Sequence, residues 1–340
     1  MTDSSERPAD DAGADTVHAV HESAILERIF PRLPVAGGQL LGPGDDAAVV
    51  AAPDGRFVVT TDMMIHGPDF RMAWSTPHDL GWKAAASNLA DVAAMGARPT
   101  ALVVAIAATP DTPVATLEGI SDGLRDACAA LAPGCGVVGG DLSVSDTLTI
   151  AVTAFGDLGG RPPVLRSGAC AGDVIALAGD AGRAAAGLRL LFERGVDADG
   201  NPDEEASAVL RESEPGLIGA QVAPAPPIAS GVAAARAGAT AMLDVSDGLA
   251  LDAGRLARAS GVRVDLSADA LGAGEVGVEL ALRGGEDHAL LASFPADATL
   301  PENFRVIGRI LDGDGVTLDG KEIAGVLGWD PYVGWDGRAG

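Results

Sequence analysis

Ala241-Met-Leu-Asp244-Val-Ser246-Asp247-Gly248 is an apolar run that ends in two carboxylates, a hydroxyl and a glycine, and the segment behind it closes at Ser260-Gly261. A short apolar run entering such a turn reads as a buried strand, Ala241–Val245, that hands its acids to the start of a helix. A helix N-terminus attracts anions. Capping that helix would need only one of Ser246 and Asp247. The segment therefore announces a strand–turn–helix unit with polar groups to spare.

Outward from it, strands and helices mix in both directions. Thr76-Pro77 supplies an N-cap and a proline at the first helical position, so His78 to Met95 reads as a helix stopped by Gly96. Small residues at Ala84, Ala85, Ala86 and Ala90 would let another backbone approach it, and Asn88 and Asp91 share one face. Ser23–Phe30, Pro113–Leu131, Ala181–Leu191 and Ile228–Ala237 read as further helices. Phe57–Thr61, Ala101–Ala107, Thr147–Phe155, Asp173–Ala178, Val262–Leu266, His288–Phe294 and Phe304–Ile310 read as strands. Gly159-Gly-Arg-Pro-Pro163 is the strongest break in the middle of the chain. The expected fold is α/β of the α+β sandwich type in two domains, residues 21–160 and 164–340, behind a disordered acidic tail at 1–20.

Composition narrows the function. The chain has 340 residues, 47% of them apolar, enough to bury a sizeable core, and a formal charge of −25. Such a field repels nucleic acid and anionic lipid. The longest apolar runs, such as Ala101–Ala108, are too short to span a bilayer. Three cysteines, none in a C-x-x-C pair, suit a reducing, cytoplasmic setting.

Aspartates recur beside glycines or after apolar runs: Gly44-Asp45-Asp46, Thr60-Thr61-Asp62, Asn88-Leu-Ala-Asp91, Gly139-Gly140-Asp141 and Gly284-Gly285-Glu286-Asp287. Carboxylates at the ends of several elements suit a hard divalent cation such as Mg²⁺. Only two lysines occur, Lys83 and Lys321, and neither sits in a phosphate-binding G-x-x-x-x-G-K-[ST] loop. If a polyphosphate binds, metal ions must supply much of the neutralising charge. Taken singly, the Gly44–Asp46 and Gly139–Asp141 turns are at least as well explained by local capping, whereas Asp91, toward the C-terminal part of its helix where the macrodipole disfavours negative charge, reads better as a metal ligand. Gly42-Pro-Gly44 formally fits a dinucleotide fingerprint, but that fingerprint must open a helix, and Ala47–Ala51 reads as a strand, which rejects it. No histidine pair has zinc spacing, and no G-x-S-x-G elbow occurs. Arg166 is either a phosphate clamp or an ordinary surface arginine.

Taken in order, GPGDDAAVV, VVTTDMM, KAAASNLADVAAMGARP, VVGGDL, RSGACAGD, LDVSDGLALD and GGEDHAL resemble the thiamine-monophosphate kinase family, within the group related to aminoimidazole ribonucleotide synthetase. The resemblance implies an N-terminal ATP-binding and dimerisation domain and a C-terminal domain closing a cleft over it. It implies transfer of the γ-phosphoryl of ATP to thiamine monophosphate, with no general base. Asp46, Thr60, Thr61, Asp62, Asp91, Asp141, Asp244 and Asp247 would hold several Mg²⁺ ions, with Asp46, Asp91 and Asp244 critical. Gly140, Asp141, Arg166 and Ser246 would touch the nucleotide. Asp69, Glu286 and Trp329 would hold the acceptor, and a homodimer is implied. Asp69 and His288 stand where the family has histidine and tyrosine, and the C-terminus differs as well. An ATP-dependent synthetase or ligase of the same group, releasing phosphate, and a non-catalytic cation-binding scaffold are the alternatives.

Overall fold

The structure, a computed structural model, describes residues 16–17, 19–20, 22–41, 49–272, 274, 276–325 and 327–328. Helix α1 (Glu22–Ile29) and the small pair β1 (Gln39–Leu41) and β2 (Val49–Val50) precede the first sheet. Strand β3 (Val58–Ile65) leads to helix α2 (Pro77–Ala94). Strand β4 (Arg98–Ala108), helix α3 (Val114–Leu131), strand β5 (Val137–Val144) and strand β6 (Thr149–Asp157) come next. The four longer strands form a sheet in the order β3-β6-β4-β5, antiparallel except for the β4–β5 pair.

The rest of the chain runs β7 (Val174–Ala178), α4 (Arg183–Arg194), α5 (Glu204–Ser213), α6 (Pro215–Val222), α7 (Ile228–Arg236), β8 (Ala241–Val245) and α8 (Leu249–Ser260). It continues with β9 (Arg263–Leu266), α9 (Ala268–Leu271), α10 (Val278–Arg283), β10 (Ala289–Phe294), β11 (Phe304–Leu311), β12 (Gly315–Leu318) and β13 (Lys321–Glu322). Seven strands build the second sheet, β13-β12-β9-β11-β7-β10-β8, in which only β12 and β9 run parallel. This is the mixed two-sheet α/β architecture expected.

Helix α2 is the hinge of the layering. Thr76 and Asp79 close a full capping box at its start, and Pro77 occupies its first turn. It lies close against α3 because glycines face the crossing. A Cβ on Gly81 would stand 1.9 Å from the Ile120 carbonyl, and one on Gly123 would stand 2.0 Å from that of His78. The largest apolar cluster joins α2 residues such as Leu89 and Val92 both to Val104 and Val152 of the first sheet and to Met242, Leu290 and Ala292 of the second. Side-chain alternation along β8 sends Leu243 and Val245 to a separate cluster under α8. Met242 and Asp244 point the other way, toward α2.

Several expectations are corrected. Strand β3 runs on to Ile65, so Asp62 is mid-strand and does not end it. Gly139-Gly140-Asp141 is no turn but the middle of edge strand β5. Glycine is needed there because a Cβ on Gly140 would fall 1.9 Å from the Val104 carbonyl. Helices α5, α6 and α10, ten residues or fewer each, are not among the expected elements. Thr16 and Val17, assigned to the 1–20 tail, are held: Thr16 bridges Pro113, and the Val17 amide donates to the Thr112 carbonyl at 2.9 Å.

Candidate active site

The carboxylates of three elements meet along α2. Asn88 and Asp91, one turn apart, both face β3. The Asp62 amide donates to Asn88 Oδ1 at 3.1 Å, and Thr60 Oγ1 donates to Asp91 Oδ2 at 2.8 Å. Asp244 arrives from β8 and pairs with His288 Nδ1 at 3.3 Å, both side chains buried. Asp247, past the end of β8, accepts Arg255 Nη1 at 2.6 Å, and its amide donates to Asp252 Oδ2 at 3.0 Å.

The electrostatics mark these acids as one group. Burial, then the charges of Asp244 and Asp62, push Asp91 up to about 7, against the Thr60 hydrogen bond and His288. Asp62 is raised by loss of water and by Asp244 and Asp247, with His288 opposing. Burial would lower His288, but its hydrogen bond and charge contact with Asp244, together with Glu286, raise it. Asp252 is pushed up to about 6, mainly by burial.

Beside this group lies a cavity of about 270 Å³ lined by Asp69, Arg71, Trp74, Lys83, Phe192, Gln221, Ser246, Asp247 and Glu286, among others. Its polar end is the turn Gly284–Asp287. Glu286 and His288 take left-handed backbone, φ 72° and 50°, which side chains rarely adopt outside such built turns. The Glu286 amide donates to the Ser246 carbonyl at 2.8 Å, which locks this turn onto the Asp244–Gly248 turn. Asp287 accepts from the amides of Gly182 and Ala184 and so caps α4. The Lys83 ammonium, itself 5% exposed, ion-pairs with Glu286 across 203 residues. Burial would raise Glu286, but Lys83, His288 and Gln221 outweigh it and hold it low. The Arg71 guanidinium stacks 4.1 Å from the Trp74 ring and 4.5 Å from that of Phe192.

The remaining site candidates do not join this group within the chain. Strand register puts Thr61 and Asp141 on the sheet face turned away from α2. Thr61 Oγ1 donates to the Val152 carbonyl and accepts from Thr153. Gly140 faces the α2 side but on the edge strand farthest from β3. Arg166 lies in an exposed loop whose carbonyl accepts Ser260 Oγ at 3.1 Å. It therefore sits at the far end of α8, about 18 Å of helix from Asp247. Asp46 and Trp329 lie outside the described residues. Sequence reasoning assigned no site role to Lys83, Gln221, Trp74 or His288. The one signal in the residues was a solitary lysine in an otherwise apolar stretch, Trp82-Lys83-Ala84.

Two mixed sheets holding a helix with carboxylates gathered along it belong to the AIR synthase-related class. The family model for AIR synthase related protein, N-terminal domain, matches residues 44–158. The crystal structure of thiamine monophosphate kinase from Aquifex aeolicus superposes with a TM-score of 0.69 at 31% identity, covering 81% of this chain and 91% of that one. AaThiL complexed with AMPPCP and TMP gives 0.70 at 31%, covering 84% and 90%. Thiamine-monophosphate kinase of Mycobacterium tuberculosis is 44% identical over 330 residues, 93% of each chain. The chain belongs to the thiamine-monophosphate kinase family.

Proposed function

We propose that the cleft along α2 transfers the γ-phosphoryl group of ATP to the phosphate of thiamine monophosphate, giving thiamine diphosphate. The observation that carries this is the meeting of Asp62, Asp91, Asp244 and Asp247 from separate elements with a cavity opening at Ser246 and Asp247. AaThiL, whose structure is complexed with AMPPCP and TMP, supports the same pair of ligands here.

The donor set fits Mg²⁺. Carboxylates crowded enough to raise one another are the arrangement a divalent cation relieves. Among the described residues no three acidic, histidine or cysteine side chains enclose a cation by themselves. Water and phosphate oxygens would complete the shell, as Mg²⁺ prefers. We assign Asp62, Asp91, Asp244 and Asp247 as its holders, with Thr60 beside Asp91 as a further candidate, and keep Asp46, Thr61 and Asp141 for further Mg²⁺ ions, the latter two on the opposite face of the sheet. Bound there, Mg²⁺ supplies the positive charge that lets two anions approach in line.

The chain's own residues then bind and orient. Ser246 and its neighbouring turn meet the phosphates, with Gly140 and Arg166 as further nucleotide candidates. Asp69, Glu286 and Trp329 are assigned to the acceptor. Lys83 fixes the Glu286 carboxylate, and the aromatic walls of the cavity exclude water. The attacking phosphate oxygen is already anionic, so proton removal is not demanded of any side chain.

Three organisational readings accompany this. The chain divides into a nucleotide domain, 21–160, and a closing domain, 164–340. The protein works in the cytoplasm, a setting that free Cys128, Cys135 and Cys170 suit; no described helix is long and apolar enough to cross a membrane. It forms a homodimer through the open face of the first sheet, where Phe57, Val59 and Met63 are all more than half exposed. Met63→Glu should shift the protein to monomer in sedimentation.

The decisive assay incubates the protein with Mg-ATP and thiamine monophosphate and looks for thiamine diphosphate. Release of phosphate without that product would instead favour a synthetase, and neither product would favour a scaffold.

A further inference from the structure

Gln221 carries a buried acceptor with nothing to accept. The residue is 6% exposed, sits at the end of α6 and lines the cavity. Its Nε2 donates to Glu286 Oε2 at 3.1 Å. That contact settles which end of the amide is which, since only the NH₂ end can face an ionised acid. The carbonyl end, Oε1, is buried and has no hydrogen-bond partner. An unpaired buried acceptor costs stability, because the hydrogen bond it made to water is not replaced. The amide is also held in place: Lys83 pins Glu286, and Glu286 pins Nε2. A fixed, unpaired oxygen on a residue that lines the cavity leaves an acceptor for a donor that a ligand brings.

The wall next to it is aromatic: Phe192 is half exposed, and the buried Trp74 packs edge-to-face against it, with the Arg71 guanidinium over both rings. It suits an aromatic ring whose edge carries an N–H. Thiamine monophosphate has one N–H-bearing group, the exocyclic amine of its aminopyrimidine. We propose that Gln221 Oε1 accepts from that amine and makes Gln221 a specificity-determining residue for the acceptor. This rests on thiamine monophosphate being the acceptor.

The test compares kcat/KM for thiamine monophosphate with that for an analogue whose amine is replaced by hydrogen. It uses the wild-type protein, Gln221→Met, which keeps the volume without polar atoms, and Gln221→Asn, which retracts the amide by one carbon. The wild type should prefer the amine by about tenfold or more. In Gln221→Met the preference should fall to within about twofold, through KM for the acceptor, while KM for ATP holds. Gln221→Asn should fall between them, and it carries the test if the methionine variant fails to fold. A preference that survives in both folded variants overturns the proposal, as does a wild type that treats both acceptors alike. A wild type that phosphorylates neither acceptor defeats the functional reading itself and this inference with it.

Discussion

Asp91 and Asp265 are both shielded aspartates facing protein, and they behave in opposite ways. Asp265, on β9, accepts Thr317 Oγ1 at 2.7 Å, the Gly320 amide at 2.8 Å and Arg309 through Nη2 at 3.1 Å and Nε at 3.2 Å. Burial would raise it, yet these donors hold it below the usual carboxylate range. It ties three strands together and asks for nothing more. Asp91 has one donor, Thr60, and acids for neighbours, and it stands near 7. An acid satisfied by its own protein is structural; one crowded by like charges stores an unfavourable interaction that a ligand must relieve. Burial pushes both acids up, and the partners decide the outcome: donors answer it at Asp265, while neighbouring acids add to it at Asp91.

The most direct way to break the contrast is to neutralise each acid in turn. Asp91→Asn should cut thiamine diphosphate formation by roughly 10²-fold or more. The same change removes a repelling charge, so melting of the metal-free protein should be unchanged or higher. A variant that keeps its turnover would place Asp91 outside the chemistry. Asp265→Asn should do the reverse. It weakens a set of charge-assisted bonds and should cost about 2 kcal/mol in denaturant unfolding, with kcat per folded molecule retained. Loss of turnover in a folded Asp265→Asn protein would erase the distinction.

Much of the scaffold that makes this contrast was legible in the residues. Thr76-Pro77 announced α2, and Ala241–Gly248 announced the strand that brings in Asp244, because caps and short buried runs are local signals. The roles of the two acids were not legible. Asp265 sits in Val264-Asp265-Leu266 and was passed over as part of a strand. Its satisfaction depends on Arg309, Thr317 and Gly320, more than forty residues away. Lys83 and Glu286 likewise meet only once α2 is packed against the second sheet. Gly139-Gly140-Asp141 misled for another reason. Glycine pairs usually punctuate turns, and only the close approach of β4 requires them inside a strand.

A smaller effect separates the ion pair from the acid cluster. Lys83→Met frees Glu286 from its cation without touching Asp62, Asp91 or Asp244. The expected result is a rise of about tenfold in KM for thiamine monophosphate, near 1.4 kcal/mol, with KM for ATP held. A matching rise in both constants would mean that Lys83 serves the whole cleft and not its acceptor side.

The smallest expected signal is the most diagnostic, because the two acids should push stability in opposite directions with pH. Asp91 has a folded value of about 7 against an unfolded value near 3.9. Its contribution is therefore fully present below about pH 4 and is lost as pH rises through 7, where the folded protein must carry the extra charge. Asp265 has a folded value below its unfolded one, so its contribution is present above about pH 4 and is lost as pH falls further. In chelator, unfolding free energy should decline between pH 5 and 7 through Asp91. Asp91→Asn should flatten that decline, and saturating Mg²⁺ should offset it by neutralising the cluster. Asp265→Asn should leave the decline intact and instead blunt the loss of stability below pH 4. A wild-type profile that is level from pH 5 to 7 in chelator would mean that the cluster carries no stored repulsion, and the case for a cation there would lose its electrostatic ground.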